Sequence, residues 1–310
     1  MWFKQVQLFK LSKHISSSSQ DLADKLQTFE FTPCLPSMPH SAGFVAPIEE
    51  EDAPLARGIN GCIMFCLQLE EKILPASVIA HTLKEKVKEI EARDARKIRQ
   101  KEKLSLKDDV THNLLPRAFT KFTRIHAYID TRHQWLIVNT ASLAKTELFL
   151  SLCKKALQDD DIQMIEVIKP SSLLTHWLKS RDYPAIFSIE KFCVLQDIDQ
   201  QTRVVRCQQQ DLFSDSIQSL VKDGCAAIQM ALTWNDKLTF TLSEDFCLRS
   251  IRLAEDDLAE IDDQLETKQQ KFDADFLMMS ELYAGLLQDL LNIFTKSNTD
   301  ETKAKLALVG

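Results

Sequence analysis

Six cations stand within the eleven residues from Arg93 to Lys103: Arg93, Arg96, Lys97, Arg99, Lys101 and Lys103. Guanidinium and ammonium groups at such loose spacing suit the neutralisation of phosphates, which releases condensed counterions and demands no exact geometry. A few residues on, Leu114–Leu115–Pro116 precedes Arg117, Phe119, Lys121 and Arg124. An aromatic between two cations can stack on or wedge against bases, or simply close an apolar core. From Leu83 to Arg124 there are thirteen Lys/Arg and seven Asp/Glu, a local net charge of +6 in a chain whose net charge is −7. One reading is a solvated helix in which Glu85, Glu89, Glu91, Asp94 and Glu102 pair with cations one turn away. The other is a surface for an anionic partner, nucleic acid or an acidic protein. A nucleic-acid contact made by these side chains would address the backbone and carry little base specificity.

Other chemistries have weaker footing. The acids of EDDLAEIDD (Glu255–Asp263) could hold a divalent metal for phosphodiester cleavage. Acids clustered on one helix usually form a solvated face, however, and no lysine or histidine stands beside them as a partner. Asp273 and Asp275 of FDADF, set between apolar anchors, suit a helix start or an interface. Cys62 and Cys66 are followed by no second pair at zinc spacing. The seven histidines form no H-x-x-x-H or H-E-x-x-H. Only six glycines occur, and no G-x-G-x-x-G, P-loop or G-x-S-x-G is present. No catalytic residue, metal or cofactor is expected. A metal-dependent nuclease using the acidic cluster and a protein–protein scaffold remain the rival classes.

The chain that must position these groups has 310 residues, long enough for two or three subdomains. It is 45% hydrophobic and 27% charged, ordinary values for a globular protein. No apolar run reaches membrane-spanning length, and MWFKQVQLFKLSK lacks a signal-peptide core. The eight scattered cysteines read as buried, reduced thiols, consistent with a cytoplasmic location.

Alternation and punctuation place the elements. Residues Trp2–Leu11 read as a strand, and Asp21–Phe29 as a helix capped by Ser19. The proline-rich stretch Phe31–Pro47 reads as an ordered loop with short extended pieces. Gly61–Pro75 is a strongly apolar strand ending in charge. Val78, Ile79, Leu83, Val87 and Ile90 predict a helix from Ala76 to about Gln100 that leaves the core. A second helix is predicted from Ser105, with Asp108 completing a short capping box and Leu106, Val110 and Leu114 facing inward. Pro116 stops it, which puts Phe119 at the end of a protruding arm. Two strands with a turn at Asp130–Gln134, then a helix from Ser142 to Leu157, complete an α+β unit. Beyond Asp159–Asp161 come a strand (Ile162–Ile168), a helix (Ser171–Lys179) and strands at Phe192–Leu195, Thr202–Arg206, Ala226–Trp234, Lys237–Leu242 and Leu248–Leu253. A tight hairpin is predicted at Asn235–Asp236. Between Ser243 and Glu301 fifteen acids face five cations, and a final helix spans about Phe272–Phe294.

Several of these segments, in order, resemble the bacterial recombination-associated RdgC family. They are WFK (2–4), FTPC (31–34), EEKILP (70–75), ARK (95–97), EK-SLKD (102–108), LLPRAF (114–119), IDT (129–131), QDL (210–212) and FDADF (272–276). The resemblance covers nearly the whole chain, and EEKILP, LLPRAF and FDADF are distinctive. It implies a DNA-binding, nucleoid-associated protein without enzymatic activity. It implies a homodimer closed into a ring around duplex DNA, with little sequence preference, that restrains the RecA recombinase. Arg96 and Phe119 would belong to a DNA-binding finger. A second contact lies just before QDL, where lysines of the family are replaced by Gln208 and Gln209, so Gln209 and Gln210 join the candidates with less charge behind them.

The expected fold class is thus α+β: a curved subunit of antiparallel sheets with a helical tip. Its parts would be a central region, 1–74 with 125–160, a helical finger, 75–124, and a β-rich base with acidic C-terminal helices, 161–310. The expected partners are duplex DNA and a second copy of the chain, with no membrane.

Overall fold

The computed structural model describes residues 2–15, 18–253 and 267–295. The acidic cluster Glu255–Asp263 lies outside the described residues. Within them the chain is α+β, with seven α-helices and one large antiparallel sheet.

The sheet grows from β4 (Cys62–Ile73), whose first six residues are all buried. Cys62 and Met64 enter one apolar cluster, while Ile63, Phe65 and Leu67 enter the other. Alternate side chains of a strand point to opposite faces, so β4 lies between two layers. Its partners on one side are β2 (His40–Val45) and β3 (Ala56–Ile59), and on the other β5 (Phe119–Asp130). The order then runs through β6 (Trp135–Val138), β1 (Gln5–Lys10), β12 (Leu248–Leu253), β11 (Leu238–Ser243), β10 (Cys225–Trp234), β8 (Phe187–Asp197) and β9 (Val204–Gln208). A two-residue strand, β7 (Gln163–Met164), pairs with the end of β1. β1 joins the two halves: Gln5 and Val6 pair with β12, and Gln7–Lys10 pair with β6.

Helices α1 (Ser19–Gln27) and α4 (Leu143–Leu157) cover one face of the first half, where Phe44, Phe65 and Phe149 meet. On the opposite side α5 (Pro170–Ser180), α6 (Asp215–Lys222) and α7 (Lys268–Phe294) fill a second cluster. α7 opens with a capping box between Thr267 and Gln270. It then spans both halves: Asp273 grips Arg57 of β3 through two bonds of 2.5 and 2.6 Å, and Asp289 accepts from Trp234 of β10 at 2.9 Å. The acids of FDADF therefore do interface work. Gly43 is required by close approach, since a Cβ there would stand 2.4 Å from the Cα of Phe31.

Several local expectations need correction. The α1 cap is Ser18, whose hydroxyl accepts from the amide of Asp21. Ser142 supplies no side-chain cap to α4. β2 is one of the expected extended pieces of the proline-rich stretch, the stretch 162–168 holds only β7, and α6, amphipathic through Ile217 and Val221, was not among the expected helices. β2 and β7 are decided by the strands they pair with, which local alternation does not report. The hairpin at Asn235–Asp236 is present, with both residues at positive φ, as a type I′ turn requires. All eight cysteines are free, and Cys62 and Cys66 are core thiols.

Candidate nucleic-acid interface

The cationic segment folds as a helical hairpin: α2 (Ala76–Asp94), a short turn, and α3 (Gln100–Leu114). Nineteen residues make α2 about 28 Å long. None of them is buried, and the two helices pack chiefly on each other. Such a finger owes little to the main core.

The boundary between the helices differs from the expected one. α2 stops at Asp94 because Ala95 adopts the left-handed conformation, φ 47°. That conformation commonly ends helices, although glycine usually supplies it. α3 begins at Gln100, so Ser105 is interior to it and caps nothing. Ile98 plugs the turn, 7% exposed, and its amide donates to Glu91 Oε1 at 3.0 Å. The basic run is consequently not one face of a continuous helix. It wraps the end of the hairpin.

The cations at that end fall into two groups. Arg96 is clamped by Glu102 through two bonds of 2.9 and 2.7 Å, and Arg93 is bonded to Asp94 at 2.8 Å. These side-chain hydrogen bonds raise the pKa of both arginines and lower those of Asp94 and Glu102. Lys97, Arg99, Lys101 and Lys103 make no salt bridge among the described residues. Lys84 and Lys88, one turn apart and exposed on α2, are likewise unpaired within the described residues and extend the cationic surface. In the sequence their neighbours Glu85 and Glu89 mask them, because alternating charges suggest neutralisation. Arg99 occupies the N-cap of α3 and makes no side-chain cap, so the amide end of the helix adds positive potential among the lysines. Farther along the hairpin the sign reverses, where Asp108 and Asp109 line a shallow groove with Lys86, His112 and Asn113.

Phe119 is not at the end of the hairpin. After α3 one 3-10 turn, Leu115–Arg117, ends in Phe119, the first residue of β5, directly opposite Ile73 of β4. Pro116 does end the helix, but strand pairing takes the chain over at once, which sets Phe119 at the finger's foot. It is 84% exposed, and Ile73 is 46% exposed, so the pair presents apolar surface beside exposed Arg117. Lys121 is also exposed and stands opposite Glu71 on the same sheet face.

Arg124 does other work. It bonds to Glu49 and to the carbonyl of Ala46, tying β5 to the 46–49 loop, and its Nε is buried without a partner. Next to it on this face, His126 contacts the carbonyl of Pro47 at 3.3 Å and stands opposite Cys66. Burial lowers the His126 pKa to about 4 and raises that of the Cys66 thiol to about 11. Arg124 is therefore a structural residue and leaves the phosphate-contact set.

Gln208 ends β9, an edge strand, and Gln209 at φ 52° donates its amide to the carbonyl of Lys191 at 2.8 Å. Gln208, Gln209 and Gln210 are all exposed. Seven strand spacings separate β5 from β9, a path of about 34 Å along the sheet. The finger and these glutamines thus lie near opposite edges. Among the described residues no group of three or more His, Cys, Asp or Glu is arranged to hold a metal ion, and no helix is long and apolar enough to cross a membrane.

Comparison with known proteins gives a consistent family. The family described as "Putative exonuclease, RdgC" matches residues 1–297. The "Recombination-associated protein RdgC" of Yersinia pestis (strain Pestoides F) is 35% identical over 294 residues, covering 94% of this chain and 97% of that protein. The same name, identity and coverage apply in Yersinia pseudotuberculosis serotype O:1b (strain IP 31758). The Yersinia enterocolitica protein of that name is 34% identical over the same length.

Proposed function

The chain belongs to the RdgC family, and from that premise we propose that it is a duplex-DNA-binding protein of recombination that acts without catalysis and without sequence preference. The observation that carries this reading is the end of the α2–α3 hairpin, where Lys97, Arg99, Lys101 and Lys103 stand without acidic partners among the described residues. Long cationic side chains on an exposed hairpin meet phosphates without reading base edges. The exposed amide end of α3 is an additional phosphate donor. Phe119 supplies an apolar contact at the finger's foot, either to a base step or to a second copy of the chain.

In this proposal two copies close into a ring around DNA, and the protein resides in the cytoplasm on the nucleoid. By occupying duplex it limits the action of RecA. A two-fold ring needs two self-complementary contacts, one of which must open for closed DNA to enter. The exposed Phe119–Ile73 pair is suited to a contact that opens.

The exonuclease in the family description supports one rival reading. It would use the acids of Glu255–Asp263 with a divalent metal. Two assays separate the readings. Random-sequence duplex is titrated with protein at rising salt, and supercoiled and linear DNA are incubated with protein and magnesium or manganese. Salt-sensitive binding without sustained cleavage supports the proposal. Cleavage that copurifies with the chain and is lost on Asp262→Asn/Asp263→Asn overturns the non-catalytic part, and absence of binding at low salt overturns all of it.

A further inference from the structure

Two of the eight free cysteines stand directly opposite each other. In the antiparallel register Cys193 of β8 faces Cys207 of β9. Among the described residues no other strand register opposes two cysteines: Cys62 faces Asp130, Cys66 faces His126 and Cys225 faces Asp197. Directly opposed side chains lie on the same face of a sheet. Both thiols accordingly enter the same apolar cluster, which also holds Leu212 and, on α6, Ile217 and Val221.

Backbone bonds on either side fix the spacing of the pair. The amide of Gln209 donates to the carbonyl of Lys191 at 2.8 Å, and the amide of Asp197 donates to the carbonyl of Arg203 at 3.1 Å. Bonded pairs recur at every second residue of an antiparallel ladder, so Cys193 and Cys207, which fall in the same phase, form a bonded pair too. Their Cα atoms are then about 5.5 Å apart, inside the range that a disulfide spans. Opposed Cβ atoms stand about 5 Å apart, wider than the roughly 4 Å of an unstrained disulfide. A bond formed here is therefore strained and easily reduced, as regulatory disulfides are. Access differs between the two thiols. Cys193 is fully buried on a strand paired on both sides, whereas Cys207 lies on β9, a five-residue strand at the end of the sheet. Burial raises the pKa of both, so neither is a nucleophile while β9 is docked. A short edge strand opens with little loss of pairing, and its opening bares Cys207 first.

We propose that Cys193 and Cys207 are a redox-closable pair that locks β9 to β8 when oxidised by a low-molecular-weight disulfide. The Cys207 thiol loses its proton as β9 opens, and its thiolate attacks one sulfur of the oxidant and expels a small thiolate. Cys193 then gives up its proton and attacks the Cys207 sulfur, expelling the second small thiolate. Two protein thiols and one small disulfide become one protein disulfide and two small thiols, the two protons passing to the leaving thiolates. Excess thiol reverses the step. Disulfides of reducing compartments are typically of this transient, sensing kind. The closed bond fixes the free edge of the sheet.

The test uses the reduced full chain, incubated with oxidised glutathione. Remaining thiols are then alkylated, counted and mapped by mass spectrometry. Two of the eight thiols are expected to disappear, in a single peptide pair joined through Cys193 and Cys207, and dithiothreitol restores both. Amide exchange across Val204–Gln208 slows by about tenfold or more in the oxidised protein, because the link removes chain entropy from the open state. Exchange in β4 is unaltered. In Cys193→Ala, whose fold is checked by circular dichroism, the reaction stops at a glutathione adduct on Cys207. Survival of all eight thiols through prolonged oxidation overturns the proposal. So does a lasting adduct on Cys207 of the unaltered chain, which shows that the strand spacing forbids closure. A link between other cysteines, or between two chains, overturns it as well.

Discussion

Glu102 holds the guanidinium of Arg96 by two hydrogen bonds, at 2.9 and 2.7 Å, in the geometry a phosphate would use. The pair is exposed, so it adds little to stability. Its consequence is competitive. In the proposed complex, DNA must displace a carboxylate before it gains Arg96, and the displaced Glu102 recruits a counterion that offsets the one released by the phosphate.

Glu102→Gln therefore tightens duplex binding at low salt. The log–log salt slope becomes steeper by about 0.9, because Arg96 now contributes a full contact. Fluorescence anisotropy across a salt series measures both. A slope identical to that of the unaltered chain means that Arg96 stays clear of the DNA.

Phe119→Ala leaves the fold intact. The side chain is 84% exposed, and surface substitutions away from special features stay within about 0.5 kcal/mol. Duplex binding or self-association weakens instead, read by anisotropy and by sedimentation. A large melting shift typical of an emptied core would show that Phe119 packs in solution as it does not here.

Ile98→Ala acts on the finger alone. It empties the one buried side chain of the turn, and a loss of about 2 kcal/mol is expected, near the low end for such sites because a small tip can collapse. Amide exchange across 76–114 should accelerate by about 30-fold, with exchange in β4 and the later strands unaltered. Acceleration throughout the molecule would contradict the finger's independence.

Acid titration isolates His126. It is neutral in the folded protein, with a pKa lowered from 6.5 to about 4 by burial. The unfolded chain therefore takes up the proton first as pH falls. Stability contributed by this site is complete above 6.5, declines between 6.5 and 4, and stops changing below 4, for a total of about 3 kcal/mol. His126→Gln keeps a donor for the Pro47 carbonyl and flattens that limb of the urea-midpoint profile. Asp130 acts in a lower window. Hydrogen bonds from Arg132 and His133 outweigh burial and depress its pKa, so its contribution is lost as pH falls through the carboxylate range. A profile unchanged by His126→Gln would refute the assignment.

Much of the architecture was legible because its signals are local. The apolar run of β4, the amphipathic pattern of α4, the Asn235–Asp236 turn and the final helix all follow from spacing within a few residues. The cationic cluster was equally legible as composition. Its arrangement was not. Alanine at position 95 carries no conventional mark of a left-handed residue, so the continuous helix expected over Ala76–Gln100 breaks where only the packing of Ile98 explains it. Arg124 looked like the other cations in the sequence, and its binding to Glu49 joins residues 75 positions apart.

The sequence by itself determined the family, the α+β class, the concentration of charge between Leu83 and Arg124, and the helical character of the segment that carries it. Each depends on residue type or short spacing. Tertiary structure decided which cations are already neutralised and that Phe119 sits at the finger's foot. Those properties depend on pairing between segments distant in sequence: Phe119 is placed by its pairing with Ile73, and Arg124 is neutralised by Glu49. Pairing energy is spread over whole strands, so no local pattern announces which residues it will bring together.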